Sequence, residues 1–320
     1  MNKTISVSDL KNDQKIEYVP FALKELDKKV SRQEKPYFNV LLGDKTGEMR
    51  GKVWTENMVN VDNSAKVGDI VAISGLVQEY AGKPQIIIES IEKVVGVAPE
   101  EFLSVTKRDR DAMNEELTKA IEDTKNPYIK KLLTNFWEDQ NWHDRYFNHP
   151  AAEYVHHGYI GGMMEHVWEM WNLAQPYIKL YPQVDRDVIL AGIIFHDLGK
   201  LEELDIVGAT IVRTRSGKLV AHIGQGLILV SAFIDKVDDF PEDLREKILH
   251  IVLSHHGEVE KGSPVVPQTL EAMIVHFVDI NGQDMRLAIG QMEIDLANGD
   301  DFTDYNKYLK RSLYQADYLK

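Results

Sequence analysis

A chain of 320 residues is longer than a usual single domain, which predicts at least two domains. The 43% hydrophobic and 28% charged residues are ordinary for a globular protein and exclude extended disorder. The absence of cysteine excludes disulfides and thiolate metal sites. Together with the lack of a signal-like N-terminus or an apolar stretch that would span a bilayer, it favours a soluble cytoplasmic protein that does not engage a membrane.

The net charge of −14 argues against a protein that merely coats nucleic acid, because affinity for phosphates comes from clustered Lys and Arg. The excess of negative charge is unevenly distributed along the chain. Residues 1–98 contain 14 basic and 14 acidic side chains, so the whole negative charge belongs to the remainder. A locally basic face is therefore open to the first segment, although a mixed-charge solvated surface fits equally well.

Residues 1–98 carry five strand-like runs separated by glycine-containing turns, at 15–23, 37–42, 49–54, 70–77 and 85–89. Five short strands favour a small Greek-key barrel. The stretch Pro36-Tyr-Phe-Asn-Val-Leu-Leu-Gly-Asp-Lys-Thr-Gly47, followed by Val53-Trp54, resembles the nucleic-acid-binding OB fold. We therefore expect an all-β OB-type barrel over residues 1–98.

Side chains alternate along a strand, so we expect Phe38, Val40 and Leu42 to face the core while Tyr37 faces outward. The same alternation places three more side chains outside: Arg50, Lys52 and Trp54. Aromatic rings interleaved with cations are what single-stranded nucleic acid requires. The alternative is that the aromatic rings only cover the end of the barrel.

The remainder of the chain reads as mostly helical. Residues 99–150 are expected to form a linker and a helical lead-in, broken at Pro127, and residues 151–300 an all-α helical bundle. One β-hairpin insertion is predicted at 209–220, turning at Ser216-Gly217. Residues 301–320 are predicted to form an amphipathic C-terminal helix that packs back or meets another subunit in a homo-oligomer.

The second half of the chain contains an ordered set of imidazoles and carboxylates. The seven side chains are His166, His196, Asp197, His222, His255, His256 and Asp279. Asp197 and Asp279 each end an apolar run, and a buried carboxylate is costly unless a cation or hydrogen-bond donors compensate it. Mixed nitrogen and oxygen ligands suit manganese, iron, zinc or cobalt. The alternative for His222 is an ordinary residue at a strand end.

Lys200 follows Asp197 by three residues and points the same way on a continuing helical turn. A cation at that position suits an anionic substrate such as a phosphate. The alternative is a simple ion pair with Asp197 or Glu203.

The intact motif Phe195-His-Asp-Leu-Gly-Lys200 within this ordered set resembles the HD-domain metal-dependent phosphohydrolases, over roughly 150–290. The resemblance implies a first ion held by four residues: His166, His196, Asp197 and Asp279. It implies a second ion on His222, His255 and His256, with Asp197 bridging. Asp197 and Lys200 would then be catalytic, with manganese as the expected metal and iron, cobalt, zinc or magnesium as alternatives.

An OB-like barrel followed by such an HD domain is similar to the YhaM family of 3′-5′ exoribonucleases over nearly the whole chain. The stretches that carry this are His157-Gly-Tyr-Ile-Gly-Gly-Met-Met-Glu-His166, Gly217-Lys-Leu-Val-Ala-His-Ile-Gly224 and Ser254-His-His-Gly-Glu258. The resemblance implies removal of 5′-mononucleotides from the 3′ end of single-stranded RNA, with single-stranded DNA as a further substrate. His157 would either contact the terminal nucleotide or line the rim of the pocket.

Two other functions remain open. An HD hydrolase of nucleotides or cyclic nucleotides would need only the metal pocket, with the barrel as an oligomerisation or regulatory module. A single-stranded nucleic-acid-binding protein would need only the barrel. The complete ligand set argues against the latter.

Overall fold

The computed structural model describes residues 5–31, 33–80, 83–97, 102–153, 157–295, 300–315 and 318. The predicted turn between the fourth and fifth strand-like runs, at 81–82, and the start of the expected linker, at 99–101, lie outside these residues. The described chain divides into two compact units. The first comprises the residues up to Val105 together with Asp205–Val212, and the second comprises Thr106–Leu204 and the residues from Arg213 onward.

The first unit is a closed five-stranded barrel, which confirms the predicted OB-type fold. Its strands are β1 (Lys15–Val30), β2 (Pro36–Asp44), β3 (Gly47–Val53), β4 (Ile70–Tyr80) and β5 (Lys83–Lys93). Their order around the barrel is β1-β2-β3-β5-β4, with β3 and β5 parallel and the other pairs antiparallel. The first half of β1 pairs with β4 and the second half with β2, so this long strand closes the barrel.

The alternation read from the sequence holds in the barrel. Val40, Leu42, Met49 and Val53 are buried in its core, and Phe38 packs against them. In the pairing of β2 with β3, Phe38 lies opposite Val53 and Asn39 lies opposite Lys52. The side chains of Asn39 and Lys52 therefore share the outer face of the barrel.

The predicted hairpin was wrong in its position. The strands are β6 (Leu204–Val207) and β7 (Thr210–Arg213), which turn at Gly208, a glycine with φ of +58°. Residues 215–220 instead begin a helix, because the Thr214 hydroxyl accepts the Gly217 N–H at 2.8 Å and caps its first turn. The tip of the hairpin folds with the barrel: the Ala209 N–H donates to the Gly68 carbonyl at 3.0 Å.

The second unit is helical. It contains α1 (Arg110–Glu122), α2 (Pro127–Trp137), α3 (Gln140–Asn148), α4 (Gly162–Leu180), α5 (Arg186–Phe195), α6 (Lys200–Glu203), α7 (Arg215–Ile234), α8 (Glu242–Ser254) and α9 (Leu270–Asp295). Leu117 of α1, Phe136 of α2 and Tyr146 of α3 lie in the same hydrophobic core as Phe195 of α5. The expected helical lead-in is therefore an integral part of this unit's core.

By length and composition alone, α7 is apolar enough to cross a membrane. Its buried side chains Val230, Phe233 and Ile234 belong to the core of the helical unit, as in a core helix of a globular domain.

The expected helix at the end of the chain was wrong for the described residues. Residues 300–315 form turns closed by two isolated bridges, Phe302 with Tyr314 and Asn306 with Arg311. The Asn306 side chain accepts the N–H groups of Tyr308 at 2.9 Å and Leu309 at 3.0 Å, which commits these donors to a turn. Burial recurs every third residue, at Thr303, Asn306 and Leu309, rather than with helical spacing.

Candidate metal centre

Four of the predicted ligands meet at one point in the helical unit. His166 lies in the second turn of α4, His196 and Asp197 directly follow α5, and Asp279 lies on α9. The Nε2 atom of His166 is 3.2 Å from Nε2 of His196 and 3.3 Å from Oδ1 of Asp279. The Nε2 atom of His196 is 3.2 Å from Oδ2 of Asp197, and all four side chains are buried.

The other three predicted ligands form a second group beside the first. The Nε2 atoms of His222 and His256 are 3.3 Å apart. The Oδ1 atom of Asp197 lies 3.5 Å from Nε2 of His255 and 3.7 Å from Nε2 of His222. The two oxygens of Asp197 thus face different groups, which is the arrangement that a bridging carboxylate requires.

Backbone carbonyls orient three of the imidazoles. The Nδ1 atoms of His196, His255 and His256 lie 2.8, 2.8 and 2.9 Å from the carbonyl oxygens of Ile193, Val252 and Lys261, respectively. A carbonyl oxygen only accepts, so each Nδ1 carries the proton. In the neutral ring the lone pair is then on Nε2, which faces the site in each case, as a metal ligand must.

Sequence reasoning named Glu203 only as a possible partner of Lys200 and missed its contact with His222. Its Oε2 atom lies 3.0 Å from Nδ1 of His222, and its other oxygen pairs with Arg213 at 3.1 Å. A carboxylate on the far nitrogen of a ligand histidine fixes the ring orientation and raises its basicity. The available signal was the position of Glu203, one helical turn after Lys200, but the sequence did not indicate which imidazole this carboxylate would reach.

His222 enters the site because the backbone breaks at Ala221, which interrupts α7 with φ of 57° and ψ of 168°. The broken helix approaches the turn after Asp197 so closely that a Cβ atom on Gly199 would overlap the backbone of His222 and Gly226. The glycine of the His-Asp-Leu-Gly-Lys motif is therefore required by packing, and it brings the two ligand groups together.

Lys200 lies against the shared carboxylate, with Nζ 2.6 Å from Oδ2 of Asp197. Burial by itself opposes ionisation of Asp197, yet the positive charge of Lys200 and the nearby imidazoles hold the pKa of this carboxyl well below its ordinary value. The ion pair with Asp197 named as the alternative role of Lys200 is thus present.

The lone-pair atoms of the site that lack another partner fit a divalent cation. Within the described part of the chain, the buried Asp197 Oδ1 and His255 Nε2 have no hydrogen-bond partner. Two buried acceptors facing one another are costly unless a cation lies between them. Each group also offers three ligand atoms within 4.8 Å of one another, His166, His196 and Asp197 in one and His222, His255 and His256 in the other.

The predicted nucleic-acid contacts on the barrel also assemble. The rings of Tyr37 and Trp54 have centroids 5.4 Å apart, and Nζ of Lys52 lies 5.9 Å and 5.3 Å from these centroids. Arg50 is exposed two residues before Lys52 on the same face of β3. The four side chains form a single aromatic and basic surface.

His157 is placed differently. Its side chain is fully buried, with Nδ1 3.0 Å from the Tyr159 hydroxyl and Nε2 3.3 Å from Glu169. The ring centroid is 5.4 Å from that of the ligand His166. His157 therefore lies beneath the surface as a packing neighbour of the predicted ligand His166, and its expected role, contact with the terminal nucleotide or a place on the rim of the pocket, stays a prediction.

A nucleic-acid-binding barrel joined to a helical domain with paired His and Asp ligands defines an HD-type phosphohydrolase with an OB-fold module. Residues 24–94 match the family model of the OB-fold nucleic acid binding domain, and residues 163–280 match that of the HD domain. The HD domain implies that the chain binds divalent metal ions.

Similar curated proteins are each named 3′-5′ exoribonuclease YhaM. The one from Bacillus velezensis is 31% identical over 264 residues, covering 81% of this chain and 82% of the relative. That from Geobacillus sp. strain WCH70 is 34% identical over 262 residues, covering 80% and 79%. That from Listeria monocytogenes serotype 4b is 34% identical over 253 residues, covering 77% and 78%. The chain belongs to the YhaM family of 3′-5′ exoribonucleases.

Replacing Glu203 by Gln should weaken one metal site selectively, because His222 loses the carboxylate beside its Nδ1 atom. Loss of such a partner typically weakens metal binding by about 10- to 100-fold. Titration calorimetry with Mn²⁺ should show one weakened site and one unchanged site. Glu202→Gln, on the adjacent residue that pairs with Arg145 at 2.8 Å, is the control and should retain both. Equal affinities in Glu203→Gln and the parent protein would contradict this role.

Metal binding should release a proton from His196. Burial lowers the pKa of this imidazole, but the charge of Asp197 outweighs burial and raises it above the ordinary value. His166 is already neutral at pH 6.5, since burial lowers its pKa to about 4. His196 therefore keeps a proton near pH 6.5 that a cation must displace, and metal affinity should rise with pH through neutrality.

Calorimetry of Mn²⁺ binding in two buffers with different ionisation enthalpies measures this release directly. More protons should be released at pH 6 than at pH 8, because the raised pKa of His196 leaves this imidazole protonated at the lower pH. An affinity that does not change between pH 6 and 8 would show that His196 is already neutral in the metal-free protein.

Proposed function

We propose that this chain is a metal-dependent exoribonuclease that removes 5′-mononucleotides from the 3′ end of single-stranded RNA. The observation that carries the proposal is the shared carboxylate of Asp197, whose two oxygens face two separate groups of imidazoles. The similar proteins named as exoribonucleases and the OB-fold module support the choice of RNA as the substrate.

The seven ligand candidates would have different roles in hydrolysis. The two ligand groups would hold two divalent cations. One cation would be held by Asp197 with His166, His196 and Asp279, and the other by Asp197 with His222, His255 and His256. When bound, such cations supply Lewis-acid polarisation of a phosphate and lower the pKa of water. Buried Asp197 stays ionised because Lys200 and the imidazoles favour its charge, so it serves both groups at neutral pH.

Lys200 would act on the substrate. Its ammonium group lies against Asp197, but the side chain is partly exposed, so the ammonium group can turn toward an incoming phosphate. The burial of Lys200 lowers its pKa, whereas Asp197 outweighs this and raises it, so the group carries a full positive charge at neutral pH. A fixed cation there would offset the negative charge that develops on a phosphoryl oxygen.

The barrel would hold the strand. Tyr37 and Trp54 offer adjacent ring faces on which bases can stack, while Lys52 and Arg50 provide cations for the backbone. Stacking and charge do not distinguish the sugars, so single-stranded DNA is a second substrate in this proposal.

Further parts of the proposal concern the metal, the compartment and assembly. Nitrogen and oxygen ligands without thiolate favour Mn²⁺, with Fe, Co, Zn and Mg as competitors whose binding depends on supply. A cysteine-free enzyme acting on RNA fits the cytoplasm. The proposal also includes a homo-oligomer, in which the exposed Leu219 and Ile228 of α7 would be covered. Light scattering of the purified chain measures this last point.

The primary test is incubation with 5′-labelled single-stranded RNA and Mn²⁺. The parent protein should produce a ladder that shortens from the 3′ end, and EDTA should abolish it. Asp197→Ala removes the ligand shared by both groups and should lower the rate by at least about 1,000-fold. Asp238→Ala, which removes an exposed carboxyl, is the matched control and should retain the parent rate.

The products separate the competing functions. RNA that is retained by the protein but never shortened would favour a binding module. RNA that is neither shortened nor retained, with hydrolysis of mononucleotides or cyclic nucleotides, would assign the pocket to small substrates.

The double variant Tyr37→Ala/Trp54→Ala tests the barrel. Loss of two stacking faces should weaken binding of single-stranded RNA by at least about tenfold, while hydrolysis of a dinucleotide should be unchanged because it needs only the metal centre. Fluorescence anisotropy in EDTA measures the affinity. Tyr18→Ala, on β1 of the same barrel, is the control for removal of an exposed tyrosine ring. An unaltered affinity would assign the two rings to barrel packing.

A further inference from the structure

The chain end carries an unusual set of exposed aromatic side chains. Phe302 is 57% exposed, Tyr305 67% and Tyr308 62%. They recur every third residue, and the residue after each of them is buried: Thr303, Asn306 and Leu309. Large apolar rings rarely project into solvent together unless they meet a partner. We refer to residues 302–311 as the aromatic-basic segment.

The segment is held in place by its buried side chains. Asn306 Nδ2 donates to Gln291 on α9 at 3.2 Å, and the Asp304 N–H donates to Asp295 at the end of the same helix at 2.8 Å. The Thr303 hydroxyl accepts the Leu313 N–H at 2.9 Å, which draws the two arms of the loop together. The exposed rings are therefore displayed from a fixed backbone attached to α9, the helix that carries Asp279.

Cations lie among the rings. Nζ of Lys307 lies 5.0 Å from the ring centroid of Tyr308. Lys310 and Arg311 follow as exposed side chains, while the acidic residues of this stretch precede Tyr305. The part of the segment from Tyr305 to Arg311 is therefore purely basic within a chain of net charge −14.

Resting on the proposed function, we propose that the aromatic-basic segment is a second binding surface for single-stranded RNA, separate from the barrel. Its rings stack on bases and its cations face the phosphates of the same strand. Protein–protein interfaces are depleted of lysine, whereas rings alternating with cations are the pattern of single-strand binding grooves. The observations therefore favour nucleic acid over a second copy of this chain.

The test compares RNA affinities in EDTA, where no hydrolysis occurs. Tyr305→Ala/Tyr308→Ala should weaken binding of a labelled single-stranded RNA of about 20 nucleotides by at least about tenfold. Tyr305→Phe/Tyr308→Phe keeps the ring faces and should keep the affinity. Tyr181→Ala removes an exposed tyrosine at the end of α4 and should also leave the affinity unchanged. An equal affinity in the double alanine variant would overturn the proposal.

The cations give an independent measurement. Lys307→Gln/Lys310→Gln should reduce the slope of log Kd against log salt concentration by about 1.4, the value expected for two lost phosphate contacts on a single strand. An unchanged slope would mean that these cations do not meet phosphates, against the proposal. A smaller mass of the tyrosine variant in light scattering, with unaltered RNA affinity, would assign the surface to self-association and overturn it as well.

Failure of the proposed function is distinguishable from failure of this inference. With Mn²⁺, the tyrosine variant should hydrolyse a trinucleotide at the parent rate, because so short a strand does not need the second surface. If the parent protein hydrolyses no RNA at all, the proposed activity fails, while the affinities measured in EDTA still decide whether the segment binds RNA.

Discussion

The buried carboxylate of Asp197 is the constraint on which the helical unit depends. It lies in a protein core, at the end of an apolar helix, and isolated burial of such a charge is strongly unfavourable. Lys200 compensates one oxygen, and imidazole nitrogens surround the other. Compensating groups come from α4, α6 and α7 and from the residues that directly follow α5 and α8, and the same arrangement creates a place for cations.

Several irregularities of the backbone serve this arrangement. The break at Ala221 turns His222 inward, and Gly199 allows the broken helix to approach the turn that follows Asp197. Gly257, with φ of +80°, lies directly against the His276 ring, where a Cβ atom would not fit. Strain and close approach of this kind concentrate at functional sites because the surrounding packing stabilises conformations that an isolated chain would avoid.

The two units place different chemistry on one chain. The barrel presents rings and cations on the outer face of β2 and β3, where they add little to stability, and the helical unit buries imidazoles and carboxylates at a cost in stability. Exposed aromatic rings and buried charges are both unfavourable for folding alone. Both features therefore point to function and not to stability.

The sequence by itself determined the five strands and the seven ligand candidates. Strand alternation is a local pattern, and an acid at the end of an apolar run has few explanations other than a charged site in a core. The position of the hairpin, the helix after it and the form of the chain end depend on side-chain hydrogen bonds that hydrophobic periodicity does not record. Thr214 caps α7, and the Asn306 side chain holds the chain end in a turn.

Only the tertiary structure decided how distant residues share the site. Glu203 reaches His222 across 19 positions of sequence, and His157 is buried against Glu169 although the family resemblance suggested a place at the terminal nucleotide or on the rim of the pocket. Which imidazole a carboxylate orients, and whether a polar side chain is exposed, depend on packing between elements far apart in the chain. Periodicity and spacing describe one element at a time, so they predicted the residue types of the site but not their pairing.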